Sequence, residues 1–370
     1  MTISHDTDLD TDTDTDTDLA PLALAARTTP TALWNDSADP DELRRSIAFG
    51  AVGATCNPVI AFTAIKKHPD VWVPRLRELA AEHPTWGESA LGLEAVKELS
   101  IEAARLLEPA FVASGGRNGR LSIQTDPRLH RDVEALVAQA VEFSGLADNI
   151  IVKIPATSTG ITAMEEAAYR GVSINATLSF TVPQAVAVGE ALERALHRRA
   201  ADGLPVQEFG HVVTIMGGRL DDWLKRWTAG QRILTTPGVL DWAGVAALKN
   251  AHRIFTERRF RSRILSAAFR NHLQWSELVG GDLVVSPPFD WQARINENSI
   301  PVENRIDVPV AAEILTELQS LSEFRRAYDP YGMTHAEFED FGAARITLRQ
   351  FLDADAQLDA LVRDVIVPAP

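Results

Sequence analysis

Between about residue 30 and residue 290, apolar runs of five to eight residues alternate with helical patterns, and few folds satisfy that alternation. There are eight such runs. They are "TALWND" (31–36), "GATCN" (53–57), "RLSIQTD" (120–126), "NIIVKIP" (149–155), "GVSINATL" (171–178), "GHVVTIM" (210–216), "RILSAAF" (263–269) and "DLVVSPP" (282–288). Strands joined by helical crossovers form parallel sheets from βαβ units. Eight of them suit a closed α/β TIM (β/α)8 barrel. An open doubly wound sheet is the structural alternative, disfavoured because no Gly-rich phosphate loop follows the first run. Past Pro288 the pattern is helical, in "VPVAAEILTELQSLSEF" and in the segment from His335 onward, so additional C-terminal helices are expected across the outside or mouth of the barrel.

Helix punctuation agrees with this reading. Asp39 caps, Pro40 takes the first helical position, Glu42 follows three residues after the cap and Gly50 closes. Thr157 or Ser158 starts the next clear case and Gly171 stops it; Thr181 before Pro183, with Gly203 at the far end, repeats the scheme. The long stretch from Ala61 to Gly119 must hold more than one helix.

The chain carries a formal charge of −15, which argues against a nucleic-acid backbone as partner, since that contact needs clustered Lys and Arg. Part of the charge sits in "DTDLDTDTDTDTD" (6–18), a repetitive tract that buries no apolar surface. Residues 1–29 are therefore expected to form a disordered acidic tail, and residues 30–370 one barrel domain including the C-terminal helices. A calcium loop in the tract is disfavoured, for it lacks the turn glycine and the bidentate glutamate. Cys56 is the single cysteine, so no internal disulfide framework exists. No apolar run has membrane-spanning length and the N-terminus has no export signature, so no membrane contact and a cytoplasmic location are expected. The nine histidines show no His-x-x-x-His spacing, and no metal is expected.

Barrel chemistry gathers at the C-terminal ends of the strands. Nearly every run ends there in a polar side chain: Asp36, Thr55 and Asn57, Gln124, Lys153, Asn175 and Thr177, Thr214, and Arg270 just beyond the seventh. Any one Thr or Asn at a strand end is most simply a cap or turn residue. Lys153 differs, because it interrupts an unalternating apolar run whose strand is covered on both faces. Two readings stay open for it. It pairs with a buried carboxylate such as Asp36, or burial lowers its pKa and frees a neutral amine to attack a carbonyl.

The stretch "NIIVKIPATSTGITAMEEAAYRGVSINATLSFTVPQA" resembles the core of the transaldolase family. "NDSADPDELRRSIAFGAVGATCNP", "GRLSIQTDPRL", "TIMGGRLDDWL" and "SAAFRN" are similar to that family's first two strands, third, sixth and seventh segments, in the same order. The resemblance implies that Lys153 forms a Schiff base and that Asp36 exchanges the proton of the substrate C4 hydroxyl. It implies further that Asn57 and Asn175, beside Thr55, hold the dihydroxyacetone unit, and that Thr177 holds a relay water. Arg219 and Arg270, helped by Thr214, would then bind the sugar phosphate.

Two departures accompany the likeness. The transaldolases carry a catalytic glutamate on strand three, where this chain has Gln124; an amide orients a water but does not take its proton. The related fructose-6-phosphate aldolases also carry glutamine there and pair it with a strand-six tyrosine, whose counterpart here is Met216. The expected activity is transfer of a three-carbon ketol unit from a ketose phosphate to an aldose acceptor, with no metal or organic cofactor. The partners are small-molecule sugar phosphates, and the protein is a monomer or homodimer. A simple aldolase or retro-aldolase is the alternative enzyme, and a non-catalytic sugar-phosphate-binding barrel the alternative from another class.

Overall fold

Each of the eight apolar runs contains a strand: β1 (Ala32–Asn35), β2 (Ala51–Cys56), β3 (Arg120–Gln124), β4 (Ile150–Pro155), β5 (Ile174–Thr177), β6 (Val212–Ile215), β7 (Arg263–Ala267) and β8 (Val284–Ser286). The structure, a computed structural model, describes residues 19–206 and 210–368. All strand pairings are parallel, and β8 returns to pair with β1, so the sheet closes in the order β1 to β8. Closure leaves no sheet edge exposed. The fold is a TIM barrel with added C-terminal helices.

Side chains alternate across a strand, and here the alternation separates two cores. Leu33, Ile150, Val152 and Ile154 join the large apolar layer between strands and helices. Ala32, Trp34, Ile151, Val212, Leu265, Ala267 and Val284 form a second cluster, inside the barrel. Lys153 lies two residues beyond Ile151, so it shares the interior face. Trp34 is fully buried in that inner cluster. Gly53 makes room for it: a Cβ at this position would lie 2.3 Å from the indole ring.

The caps read from the sequence are in place. Asp39 accepts from the amides of Asp41 and Glu42 at the start of helix Pro40–Ala48. Thr157 and Thr181 cap Ser158–Tyr169 and Val182–Ala201. Gly50, Gly171 and Gly203 take positive φ where those helices end. The stretch from Ala61 to Gly119 holds Pro69–Glu82 and Glu88–Ala113 as well as most of Pro58–Lys67.

Helix Gly342–Ile366 packs on all three of those helices. Arg128, just past β3, holds it through Asp355 at 3.0 Å and Asp359 at 3.2 Å, and Arg363 reaches Glu88 at 2.7 Å. Among the described residues, no helix is long and apolar enough to cross a membrane.

The expected boundary of the acidic tail is corrected. The tract at 6–18 lies outside the described residues, but residues 21–28, assigned to the same tail, form helix Pro21–Thr28. Leu22 and Ala25 are buried there, and the Leu22 amide donates to Asn296 Oδ1 at 3.0 Å. A proline at the helix start and apolar residues three apart are enough to dock this segment, and the neighbouring aspartates mask that pattern in the sequence.

Gly53→Ala is expected to destabilise the barrel by about 1–3 kcal/mol through overpacking. Urea denaturation checks it, and the same alanine in a Trp34→Leu background is expected to be less costly.

Candidate active site

The strand ends bring the polar side chains to one mouth, and strand register sets their level. Gln124 pairs with Lys153 between β3 and β4, and Lys153 with Asn175 between β4 and β5. In-register neighbours on parallel strands project to the same side, so the three side chains stand together inside the barrel. Lys153 is 4% exposed. No described residue gives its ammonium a hydrogen bond or a close ion pair. Burial pushes its pKa down from the ordinary lysine range, and the Asp36 carboxylate partly reverses the shift.

Asp36 follows β1 after a register irregularity between Leu33 and Asn35. It is half-buried. Burial raises its pKa, while Lys153 and then Arg219 pull it back. Gln292 braces the loop that carries it: its amide N–H donates to Asn35 Oδ1 at 2.8 Å and to the Pro287 carbonyl at 3.0 Å, and its oxygen accepts from Ser46 at 2.6 Å. The first of the two readings of Lys153, a locked ion pair, is not what the geometry shows; the two groups feel each other through the field.

Behind the lysine runs a hydrogen-bonded chain across three strands. Thr214 Oγ1 donates to Asn175 Oδ1 at 2.8 Å, and Asn175 Nδ2 donates to Ser122 Oγ at 2.9 Å. The single proton of Thr214 is thus committed to Asn175, which makes it a support for that amide. Asn57 Oδ1 caps helix Pro58–Lys67 by accepting from the Ile60 amide at 3.0 Å, which leaves its N–H groups for a ligand. Thr55 is buried two residues earlier on the same face.

Polar atoms buried at this end of the barrel with no partner among the described residues include Gln124 Oε1, Thr177 Oγ1, Arg219 Nε and Ser286 Oγ. Buried polar groups in native proteins are ordinarily paired, so these atoms have hydrogen-bonding capacity that a ligand or water at the mouth would use. Leu178, immediately after Thr177, has φ 47°, a conformation costly for a bulky residue. Gln184 pins that turn, donating to the carbonyls of Ala156 and Leu178 and accepting from the Phe180 amide.

Arg219 and Arg270 stand on the β6 and β7 side. Met216 precedes helix Gly217–Gln231, whose first turn presents Arg219. The glycines bring this helix start against the end of β7, for a Cβ on Gly218 would lie 2.0 Å from the Ala268 carbonyl oxygen, and Ala268 itself has positive φ. Burial and the charge of Arg270 both lower the Arg219 pKa, so the guanidiniums face one field. Arg270 pairs with Asp222 at 2.7 Å, and its backbone amide donates to Gln274 Oε1 at 2.6 Å. Gln274 in turn donates to the buried Asp221 at 2.7 Å. Arg219 donates to Gln350, from helix Gly342–Ile366. Two cations beside the N-terminal end of a helix form a natural anion site.

Ser122, Ser286 and Gln350 were not among the residues expected from the sequence. Period two from Gln124 would have exposed Ser122. Outside the barrel, Asp39, Asp41 and His68 gather within 4.8 Å, but the Asp39 carboxylate already accepts from Lys67, His68 and two helix amides.

The family model described as Transaldolase/Fructose-6-phosphate aldolase matches residues 33–332. The chain belongs to this family. Similar relatives include "Transaldolase 1" of Streptomyces avermitilis, 31% identical over 61% of this chain and 60% of its own length. "Transaldolase 1" of Streptomyces coelicolor is 35% identical over 54% of this chain and 51% of its own, and "Transaldolase" of Thiobacillus denitrificans 32% identical over 61% and 64%. The chain therefore spans about half to two thirds of the length of the curated relatives it matches. The transaldolase/fructose-6-phosphate aldolase match covers all eight strands except the first residue of β1.

Because Asp36 favours the ammonium form, Asp36→Asn is expected to lower the Lys153 pKa further. The neutral amine then persists to more acid conditions, and the acid limb of Lys153 reductive methylation, followed by peptide mass spectrometry, moves to lower pH. A limb that stays put, or moves upward, would show that the two groups are uncoupled.

Proposed function

We propose that this protein transfers a dihydroxyacetone unit from a ketose phosphate to an aldose through a Schiff base on Lys153. One observation carries the reading: an amine with lowered pKa and no ion-pair partner among the described residues, facing the barrel interior beside a carboxylate. A neutral amine is a nucleophile, and the iminium it forms is an electron sink.

The steps balance on this chain's own groups. Lys153 Nζ adds to the C2 carbonyl of the ketose phosphate, and the carbinolamine loses water to give the iminium. Asp36 takes the C4 hydroxyl proton, the C3–C4 bond breaks, and its electron pair moves into the iminium to give an enamine. The shortened aldose phosphate leaves with a carbonyl where C4 was. In the second half, C3 of the enamine attacks the acceptor aldehyde, Asp36 returns the proton to the new hydroxyl, and water releases the ketose product. Thr177 and Gln124 hold the water, Asn57 and Asn175 the hydroxyls of the three-carbon unit, and Arg219 with Arg270 the phosphate. Since Gln124 does not ionise, proton traffic falls more heavily on Asp36.

Gln124 also supports a second reading, a simple aldolase that releases free dihydroxyacetone. With fructose 6-phosphate and no acceptor aldehyde, release of dihydroxyacetone favours the aldolase and its absence favours transfer.

Borohydride reduction with fructose 6-phosphate or dihydroxyacetone is expected to leave an adduct on Lys153 and none on Lys153→Met. Tight binding of the sugar phosphate without an adduct would instead mark a non-catalytic binding barrel. Gln124→Glu is expected to raise transfer activity on common transaldolase substrates, by up to the roughly hundred- to ten-thousandfold that one general acid/base group supplies. No gain would mean that the glutamine serves a different substrate.

A further inference from the structure

At the opposite end of the barrel, where the strands begin, lies a separate open cavity of about 570 Å³. Its wall includes Arg117 ahead of β3, His211 ahead of β6, Arg259 at the end of helix Ala243–Arg258, and Arg261, Ser262 and Arg263 leading into β7. A chain of net charge −15 thus gathers guanidinium groups in one place. Two carboxylates answer part of that charge. Asp282 pairs with Arg117 and Glu193 with Arg261, each at 2.6 Å.

Arg259 and Arg263 have no carboxylate partner among the described residues. Arg263 donates only to neutral oxygens, the Arg117 carbonyl at 3.0 Å and Asn118 Oδ1 at 3.2 Å. Burial and the neighbouring Arg117 push its pKa down to about 10. Arg120, at the start of β3, is in the same situation: it also donates to neutral oxygens, and burial and Arg263 bring it to about 10. Asp282 answers only part of the charge on the half-buried Arg263, and cations held this far out of water are costly unless an anion joins them.

Two neutral donors complete the wall. His211 Nδ1 accepts from the Ile174 amide at 3.1 Å, so its proton must reside on Nε2. That N–H is buried with no partner among the described residues, on a residue 3% exposed. The Ser262 hydroxyl, on a residue 5% exposed, likewise has no partner among the described residues. Guanidinium forks, an imidazole N–H and a hydroxyl together match a tetrahedral oxyanion with several acceptor oxygens. The volume is within the range of small-molecule sites.

We propose that this cavity binds a phosphorylated small molecule, with Arg259 and Arg263 as its charged donors and His211 and Ser262 as its neutral ones. The site is distinct from the mouth, where Arg219 and Arg270 stand at the other ends of the same strands. It does not depend on the activity proposed above.

The test uses the full chain carrying Arg219→Ala and Arg270→Ala, which removes the mouth cations, and inorganic phosphate as probe. Phosphate is expected to move the His211 imidazole resonance in a saturable way. Arg259→Glu, an exposed position, is expected to weaken that binding by about tenfold or more with an unchanged circular dichroism melt. No His211 movement, or equal affinity in Arg259→Glu, would overturn the proposal. Citrate saturating the site where phosphate does not would overturn the phosphoryl assignment.

Discussion

Everything at the mouth depends on one ammonium group kept out of water beside one carboxylate. In a dry interior the desolvation of Lys153 outweighs the attraction of Asp36, so the amine is driven toward neutrality. A direct ion pair would reverse that balance by holding the proton. The loop carrying Asp36, braced by Gln292 through Asn35 and Pro287, sets the separation at which coupling persists without contact. The protonation balance at Lys153 is thus a property of the β1 and β8 ends as much as of β4.

The surrounding backbone is built for close approach at some cost. Leu178 and Ala268 adopt left-handed φ at the ends of β5 and β7, and such positions persist only where the neighbourhood over-determines them. Gln184 supplies that constraint at the first, Gln274 beside the second. Gly218 lets the helix that carries Arg219 reach the β7 end, so the two arginines are placed by backbone contact rather than by long flexible side chains.

Much of this was legible in the sequence, for identifiable reasons. Strands covered on both faces give unbroken apolar runs, so all eight could be found, and Lys153 stood out because it breaks one. Asp39, Thr157 and Thr181 announced their helices through cap chemistry. Other features had no local signal. Serines are too common on strands for Ser122 or Ser286 to attract notice, and Gln350 reaches Arg219 across 131 positions. The target of Thr214 is set by register with Asn175, which a single sequence does not encode. Helix Pro21–Thr28 was absorbed into the acidic tract, whose composition dominates any window that includes both. Gln124 and Met216 acquire meaning only against the family pattern.

Trp34 has a further consequence. Its indole, with Ile151, Val212, Leu265 and Val284, fills the lumen between the two ends of the barrel, and the missing Cβ of Gly53 is what admits it. The protein therefore has a bulkhead instead of a channel: nothing held at one end can diffuse through to the other, and any influence between them must be transmitted as displacement of the staves themselves.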